Sequence, residues 1–278
     1  MHEQVDFQGM TALRWRAGDG ATALVTLQGA HLVSWIPARG AECLYLSERS
    51  AFEPGRAIRG GIPVIFPQFA DRGPLAQHGF ARNRTWRFLG VSEARGAATA
   101  SFGLESSEET RATWPHDFRL ELAITIAEAR LEAALRVMNP GDASFTFTAA
   151  LHTYLRVADA ARAELRGLSG CRYVNRGSDA VEVESRAAIT AAEPIDRVYF
   201  ATPAATRLAD GARRFLIGQR GFTDTVVWNP GAERAARMPD MPAGGDRQML
   251  CVEAAAIEPP VVLAPGADWT GVQSLEIA

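Results

Sequence analysis

Between residues 118 and 157 the apolar positions fall on every second residue. Leu120, Leu122, Ile124 and Ile126 alternate with more polar neighbours, and so do Leu131, Ala133, Leu135 and Val137. After the turn sequence Asn139-Pro140-Gly141-Asp142, Phe145, Phe147, Ala149 and Leu151 alternate a third time. Side chains on an extended strand point to opposite faces in turn, so a period of two marks a strand with one buried face. Three such runs joined by short turns predict an antiparallel meander. The third run sets His152 on the face opposite Phe145, Phe147 and Leu151, with Thr146, Thr148 and Tyr154 on its own side. A polar stripe on one face of a sheet suits a cleft for a polar ligand.

The rest of the chain repeats this pattern in shorter pieces. Residues 22–36 read as two runs broken at Gly29, a hairpin or bulge, and residues 44–46 as a further short strand. Residues 85–91 and 98–104 predict a strand pair. Ser106 with Glu109 three positions on predicts a capping box, opening a short helix that Pro115 ends. Beyond residue 157, short β-like runs are punctuated by glycine and proline every eight to twelve residues, which suits a sandwich. The last predicted pair is 248–254 with 268–276. Within it Glu253 shares parity with Met249 and Cys251, away from Leu250 and Val252. No internal repeat, low-complexity tract or linker interrupts the chain, so one all-β domain over residues 1–278 is expected.

Composition narrows the function. At 278 residues and 47% apolar content the chain can build a sizeable core. A net charge of −3 gives no electrostatic case for nucleic acid or an anionic membrane. Every basic residue is arginine, which excludes Schiff-base lysine chemistry and the phosphate-loop lysine. Cys43, Cys171 and Cys251 stand far apart, with no zinc spacing, and read as reduced thiols of a cytoplasmic protein. The N-terminus lacks a secretory pattern, and no apolar run approaches the roughly 20 residues that span a bilayer.

The chemistry is expected in residues 59–84, RGGIPVIFPQFADRGPLAQHGFARNR. Four arginines, one histidine, three prolines and four glycines share these 26 positions. A core asks for apolar volume, whereas a loop this polar on a rigid scaffold more often binds something. The apolar run 62–66 predicts a short buried strand leading into that loop.

RGGIPVIFPQF and QHGFARNRTWRF resemble the hexose-phosphate mutarotases, the glucose-6-phosphate 1-epimerase type of the aldose 1-epimerase superfamily. ALHTY (150–154), IDRVY (195–199), VVWNP (226–230) and CVE (251–253) are similar to that family's later motifs, in the same order. The resemblance implies a large antiparallel two-sheet supersandwich with a concave sugar-binding cleft. It also implies interconversion of the α and β anomers of a hexose 6-phosphate without cofactor or metal. Ring opening needs a base for the C1 hydroxyl and an acid for the ring oxygen, and a carboxylate with a histidine suits both. Glu253 and His152 match the family's base and acid. His78 would bond the ring oxygen or a hydroxyl. Arg59 and Arg82 would hold the phosphate, with Arg84 a weaker third, because guanidinium forks match phosphate geometry. Gln77 and Asp196 would meet sugar hydroxyls, and Trp228 would stack on the ring or sit in the core. A monomer acting on a small sugar phosphate is expected.

Bland readings stand beside these. Glu253 read alone is an exposed strand carboxylate, His152 a histidine satisfied by a neighbouring strand, and His78 a turn cap. The arginines pair with Asp71 or Glu53, and Asp196 with Arg197. Asp246 stands where relatives often carry an aromatic. Other functions in play are a mutarotase for unphosphorylated aldoses, a non-catalytic carbohydrate-binding protein, and a glycosidase using Asp196 and Glu253. His2, His31 and His116 receive no role.

Overall fold

The computed structural model describes residues 1–277. Apart from two short helices and two turns of 3-10 helix, it is built from three antiparallel sheets. The smallest runs in chain order through His2–Phe7, Met10–Arg16, Thr22–Thr26 and His31–Ile36. The predicted 22–36 hairpin is its second half. The first half was not predicted, although Ala12, Leu13 and Trp15 are buried there while Thr11, Arg14 and Arg16 are exposed.

An outer sheet of eight strands runs in spatial order through Glu164–Arg166, Ala205–Asp210, Arg213–Arg220, Asp268–Ile277, Arg130–Met138, Arg119–Ala127, Ala97–Glu105 and Arg87–Ala94. A second eight-stranded sheet, the cleft sheet, runs through Val181–Val183, Arg172–Asn175, Ile195–Phe200, Asp224–Asn229, Met249–Leu263, Phe145–Leu151 and Val64–Ile65. Its eighth strand, Tyr154–Arg156, also pairs with Met249–Leu263. The main core lies between the two large sheets. Leu120, Leu122, Leu135 and Leu275 of the outer sheet join Phe147, Leu151, Val252 and Ala254 of the cleft sheet, with Trp15 and Trp35 from the small sheet. Each of these large side chains contributes about 1.5–3 kcal/mol by leaving water. The expected two-sheet sandwich is therefore present. No helix among the described residues is long and apolar enough to cross a membrane.

Three local expectations are corrected. The first two alternating runs do pair, Arg119–Ala127 with Arg130–Met138, but the third leaves that sheet. Phe145–Leu151 pairs instead with Met249–Leu263 and Val64–Ile65. The Asn139 turn is a corner between layers, where the Asn139 amide donates to the carbonyls of Ala143 and Leu263. Likewise Met249–Leu263 and Asp268–Ile277 lie in opposite sheets and are not partners. Alternation reports a buried face; both sheets bury theirs in the same core, so it cannot say which sheet a strand joins. Finally, the helix Glu108–Thr113 is capped by Ser107 with Thr110 closing the box, one residue later than expected. Ser106 donates to Asp117 instead, and Glu109 pairs with Arg84.

Candidate active site

Met249–Leu263 supplies the first site residue. Its alternation sends Leu250, Val252 and Ala254 into the main core, and Met249, Cys251 and Glu253 to the other face. Phe145–Leu151 lies antiparallel beside it, with Leu151 opposite Ala254. One step along the same register sets His152 beside Glu253, and Tyr154 opposite Cys251. Two residues a hundred positions apart thus become cross-strand neighbours, with His152 Nδ1 3.3 Å from Glu253 Oε1.

Both groups are removed from water: Glu253 is 1% exposed and His152 7%. Burial pushes the Glu253 carboxyl well above the ordinary range; Asp196 adds to this and Arg82 opposes it. Burial also pushes His152 well below its ordinary value, followed by the nearby His78 ring and the Arg82 and Arg59 guanidiniums. Both shifts favour the uncharged form of the group concerned. The 3.3 Å approach is no hydrogen bond, and His152 Nδ1 and Glu253 Oε2 are buried without a partner. Native interiors leave few such atoms unsatisfied, so a pair of them in a cleft points to a polar ligand.

The loop 59–84 folds back over this pair, as its glycines allow. Gly60, Gly61, Gly73 and Gly79 have φ of 114°, 62°, 155° and 66°. Gly79 lies against the Phe66 carbonyl, which accepts from the Phe80 and Ala81 amides, and a Cβ there would strike it. His78 adopts φ 70° although it is not glycine. Its Nδ1 accepts the Ala70 amide at 3.2 Å, which leaves the proton on Nε2. Burial, then Arg82, Arg176 and Arg59, lower its pKa to about 3. His78 caps the turn and also lines the cleft, its ring 5.6 Å from that of His152.

The arginines divide. Arg59 donates from Nε to Asp240 at 3.1 Å and from Nη1 to the Tyr154 hydroxyl at 3.0 Å, with its Nη2 in ion-pair contact with Asp240 at 2.9 Å. Tyr154 in turn stacks on His152, with ring centres 4.7 Å apart and planes 9° from parallel. Arg82 has no carboxylate within 4.0 Å among the described residues. It donates only to the Gln77 carbonyl, at 3.0 Å, and its Nε is buried without a partner. Arg84 turns away to Glu109 and does not line the cleft.

The cleft holds about 780 Å³ and is lined by Arg59, Gln77, His78, Arg82, His152, Asp196, Trp228 and Glu253, among others. All seven of the candidate catalytic and binding residues therefore lie on one cavity, of a size usual for a small-molecule site. Asp196 pairs with Arg234 at 3.2 Å and Arg176 at 3.9 Å, not with Arg197. Adjacent strand residues face opposite ways, and Arg197 meets the buried Glu184 instead. Trp228 is half core and half cleft: it packs with Tyr154, Met249 and Cys251, while Arg59 and Arg234 lie 5.8 and 6.0 Å from its ring centre. His31 is structural, bonded to the Gly60 carbonyl at 2.7 Å and lowered by burial to about 4. His116 packs on Trp114.

Sequence reasoning missed four contributors. Asp240 comes from a loop, Arg176 from a strand end and Arg234 from the short helix Gly231–Ala235, and their only signal is charge. Gln273 reaches across from the outer sheet: its amide donates to the Val252 carbonyl at 2.9 Å, and its oxygen accepts the Thr153 hydroxyl. It thus ties together the residues next to Glu253 and His152.

Comparison with known proteins gives the family. The chain is 35% identical over 275 residues to a "Putative glucose-6-phosphate 1-epimerase" of Cenchrus ciliaris, covering 95% of this chain and 83% of that one. It is 39% identical over 241 residues to the Escherichia coli (strain K12) protein of the same name, covering 84% and 79%. The crystal structure of a "putative mutarotase (YeaD)" from Salmonella typhimurium superposes with a TM-score of 0.91 at 30% identity, covering 100% of this chain and 93% of that one. Residues 11–276 match the family described as aldose 1-epimerase, and on this evidence the chain is a member of that family and an epimerase.

Proposed function

We propose that this epimerase interconverts the α and β anomers of a hexose 6-phosphate, with glucose 6-phosphate the first candidate. The observation that carries the phosphate is Arg82, a guanidinium on the cleft with no acid beside it and an unpartnered Nε. A half-buried cation without a counter-charge is costly, and an anionic ligand restores the balance. Arg59 has used two of its five N–H donors on Asp240 and Tyr154, so three are left for the same phosphate. Gln77 and Asp196 meet hydroxyls, and Trp228 offers its face to the ring.

The reaction needs one mobile proton and no cofactor. With that proton on His152, the Glu253 carboxylate takes the C1 hydroxyl proton while His152 protonates the ring oxygen, and the ring opens. Turning the aldehyde about the C1–C2 bond presents its other face. Glu253, now carrying a proton, returns it to the carbonyl oxygen as the C5 oxygen attacks and His152 takes its proton back. The shifts of the two groups favour the proton on Glu253 at rest, and it reaches His152 once the 3.3 Å approach between Oε1 and Nδ1 closes into a hydrogen bond. His78 Nε2–H supports charge on oxygen as it develops.

NMR exchange spectroscopy with α-glucose 6-phosphate and α-glucose side by side tests the reading. Fast exchange of the phosphate ester and slow exchange of glucose are expected. Equal acceleration of both would put the unphosphorylated aldose ahead, and acceleration of neither would leave a binding protein.

A further inference from the structure

We infer that His152, Cys251 and Glu253 together form an inhibitory site for a borderline-soft divalent cation of the zinc class, closed to the ion only while sugar is bound. Cys251 and Glu253 are two apart on one strand and project to the same face, and His152 is the cross-strand neighbour of Glu253. One donor atom from each lies within 4.8 Å of the other two, and all three side chains are buried.

The distances fit a tetrahedral ion. Two nitrogen or oxygen ligands at ~2.0–2.2 Å from one zinc stand ~3.3–3.5 Å apart. His152 Nδ1 and Glu253 Oε1 are 3.3 Å apart, without the geometry of a hydrogen bond. The Cys251 sulfur lies within 4.8 Å of a donor atom on each of the other two, and it closes in to the ~2.3 Å of a zinc–thiolate bond when the ion binds. The unpartnered Nδ1 and Oε2 give the second, independent sign that something belongs between these side chains. In turnover that is the sugar; without sugar, the same donors suit a metal.

The sulfur sets the class of ion. A thiolate and an imidazole select zinc, cobalt or cadmium over magnesium and calcium, which prefer oxygen alone. On binding, the thiol and the carboxyl each lose a proton to solvent, and the resulting two negative charges balance the ion. Arg59 and Arg82 oppose it; Asp240 pairs with the first, and no carboxylate among the described residues lies within 4.0 Å of the second. Competition with sugar phosphate follows, because an ion on Nδ1 and the carboxylate removes both the acid and the base. The binding site rests on geometry, whereas its inhibitory effect rests on the acid–base reading above, so the two are measured separately.

The full-length, chelator-treated protein is titrated with Co²⁺. A sulfur-to-cobalt charge-transfer band that saturates at one ion per chain is expected, removed by Zn²⁺ and by saturating glucose 6-phosphate. Cys251→Ala should lose the band and weaken Zn²⁺ inhibition by more than the ~10–100-fold typical of losing an outer-shell partner. It should keep its turnover, and Cys43→Ala and Cys171→Ala should keep the band. No sulfur band in the wild type, or a band that survives in Cys251→Ala, would overturn the site. Should Cys251→Ala not fold, the wild type still decides, since a cobalt band untouched by saturating glucose 6-phosphate places the ion elsewhere. If no protein turns sugar over, the proposed function fails while the cobalt spectra still judge the site.

Discussion

The two large sheets are built from similar strands and solve opposite problems. In the outer sheet, Arg119–Ala127 and Arg130–Met138 alternate between buried and part-exposed positions, and the face away from the core meets water. Its charges pair there in the open, as Arg136 does with Asp268 at 3.1 Å and Arg130 with Glu132 at 3.0 Å. In the cleft sheet the alternation of burial is gone. Asp224–Asn229 is buried at every residue, and so is Met249–Leu263 as far as Ile257. Side chains still alternate, but the second face is covered by the 59–84 loop, Tyr154 and Trp228. A charge on an outer face is solvated and cheap, whereas a charge under that cover is desolvated and its pKa moves. Catalytic groups need the second environment, and only one sheet offers it.

The sharpest break in this contrast is expected at Glu253. Glu253→Gln should fold as the wild type and lose ~10²–10⁴-fold in kcat, the usual contribution of a general base. His152→Ala should fall comparably and His78→Ala by less. Near wild-type turnover in the glutamine variant would remove Glu253 from the mechanism.

The pH profile tests whether burial sets the protonation of the pair. Below the lowered histidine value both groups hold protons and no base remains; above the raised carboxyl value both have lost them and no acid remains. A broad plateau across neutrality is expected, with limbs of about tenfold per pH unit that belong to the coupled pair. An alkaline limb that begins at ~6.5 would mean an ordinary histidine acid and an ordinary carboxylate base.

Arg82→Ala should reduce kcat/KM for glucose 6-phosphate by roughly 10–100-fold, for a lost charge-assisted bond of about 1.5–3 kcal/mol, and leave glucose nearly unchanged. Arg59→Ala should affect glucose as well, since it frees the ring that stacks on His152. Equal losses on both sugars in Arg82→Ala would make that arginine structural.

Gln273→Leu probes the tie between the sheets. It should cost about 1–3 kcal/mol of stability in chemical denaturation, because the Val252 carbonyl and the Thr153 hydroxyl lose their partner. It should also lower kcat for both sugars by the same factor with KM little changed; an unchanged kcat would show that the tie does not position the pair. Least of all, Arg136→Ala on the outer sheet should leave both the denaturation midpoint and turnover close to wild type, because an exposed pair is screened by solvent.

Much of this was written in the chain. Period-two alternation in Leu120 to Val137 determined strands with one buried face, and the parity of Cys251, Glu253 and Met249 determined that these side chains leave the main core for the opposite face of their strand. The glycines at 60, 61, 73 and 79 determined where the 59–84 loop can turn, because left-handed backbone is open chiefly to them. Tertiary structure alone decided the partners. Alternation is local and reads the same in either sheet, so the move of Phe145–Leu151 out of the meander needed the Asn139 corner. The pairing of His152 with Glu253 needed a strand register, which no local pattern contains. Which arginine stands without a counter-charge depended on Asp240 and Glu109, residues far away in sequence from Arg59 and Arg84. Local side-chain geometry sets faces and turns, whereas desolvation and charge pairing are sums over neighbours that only the folded chain brings together.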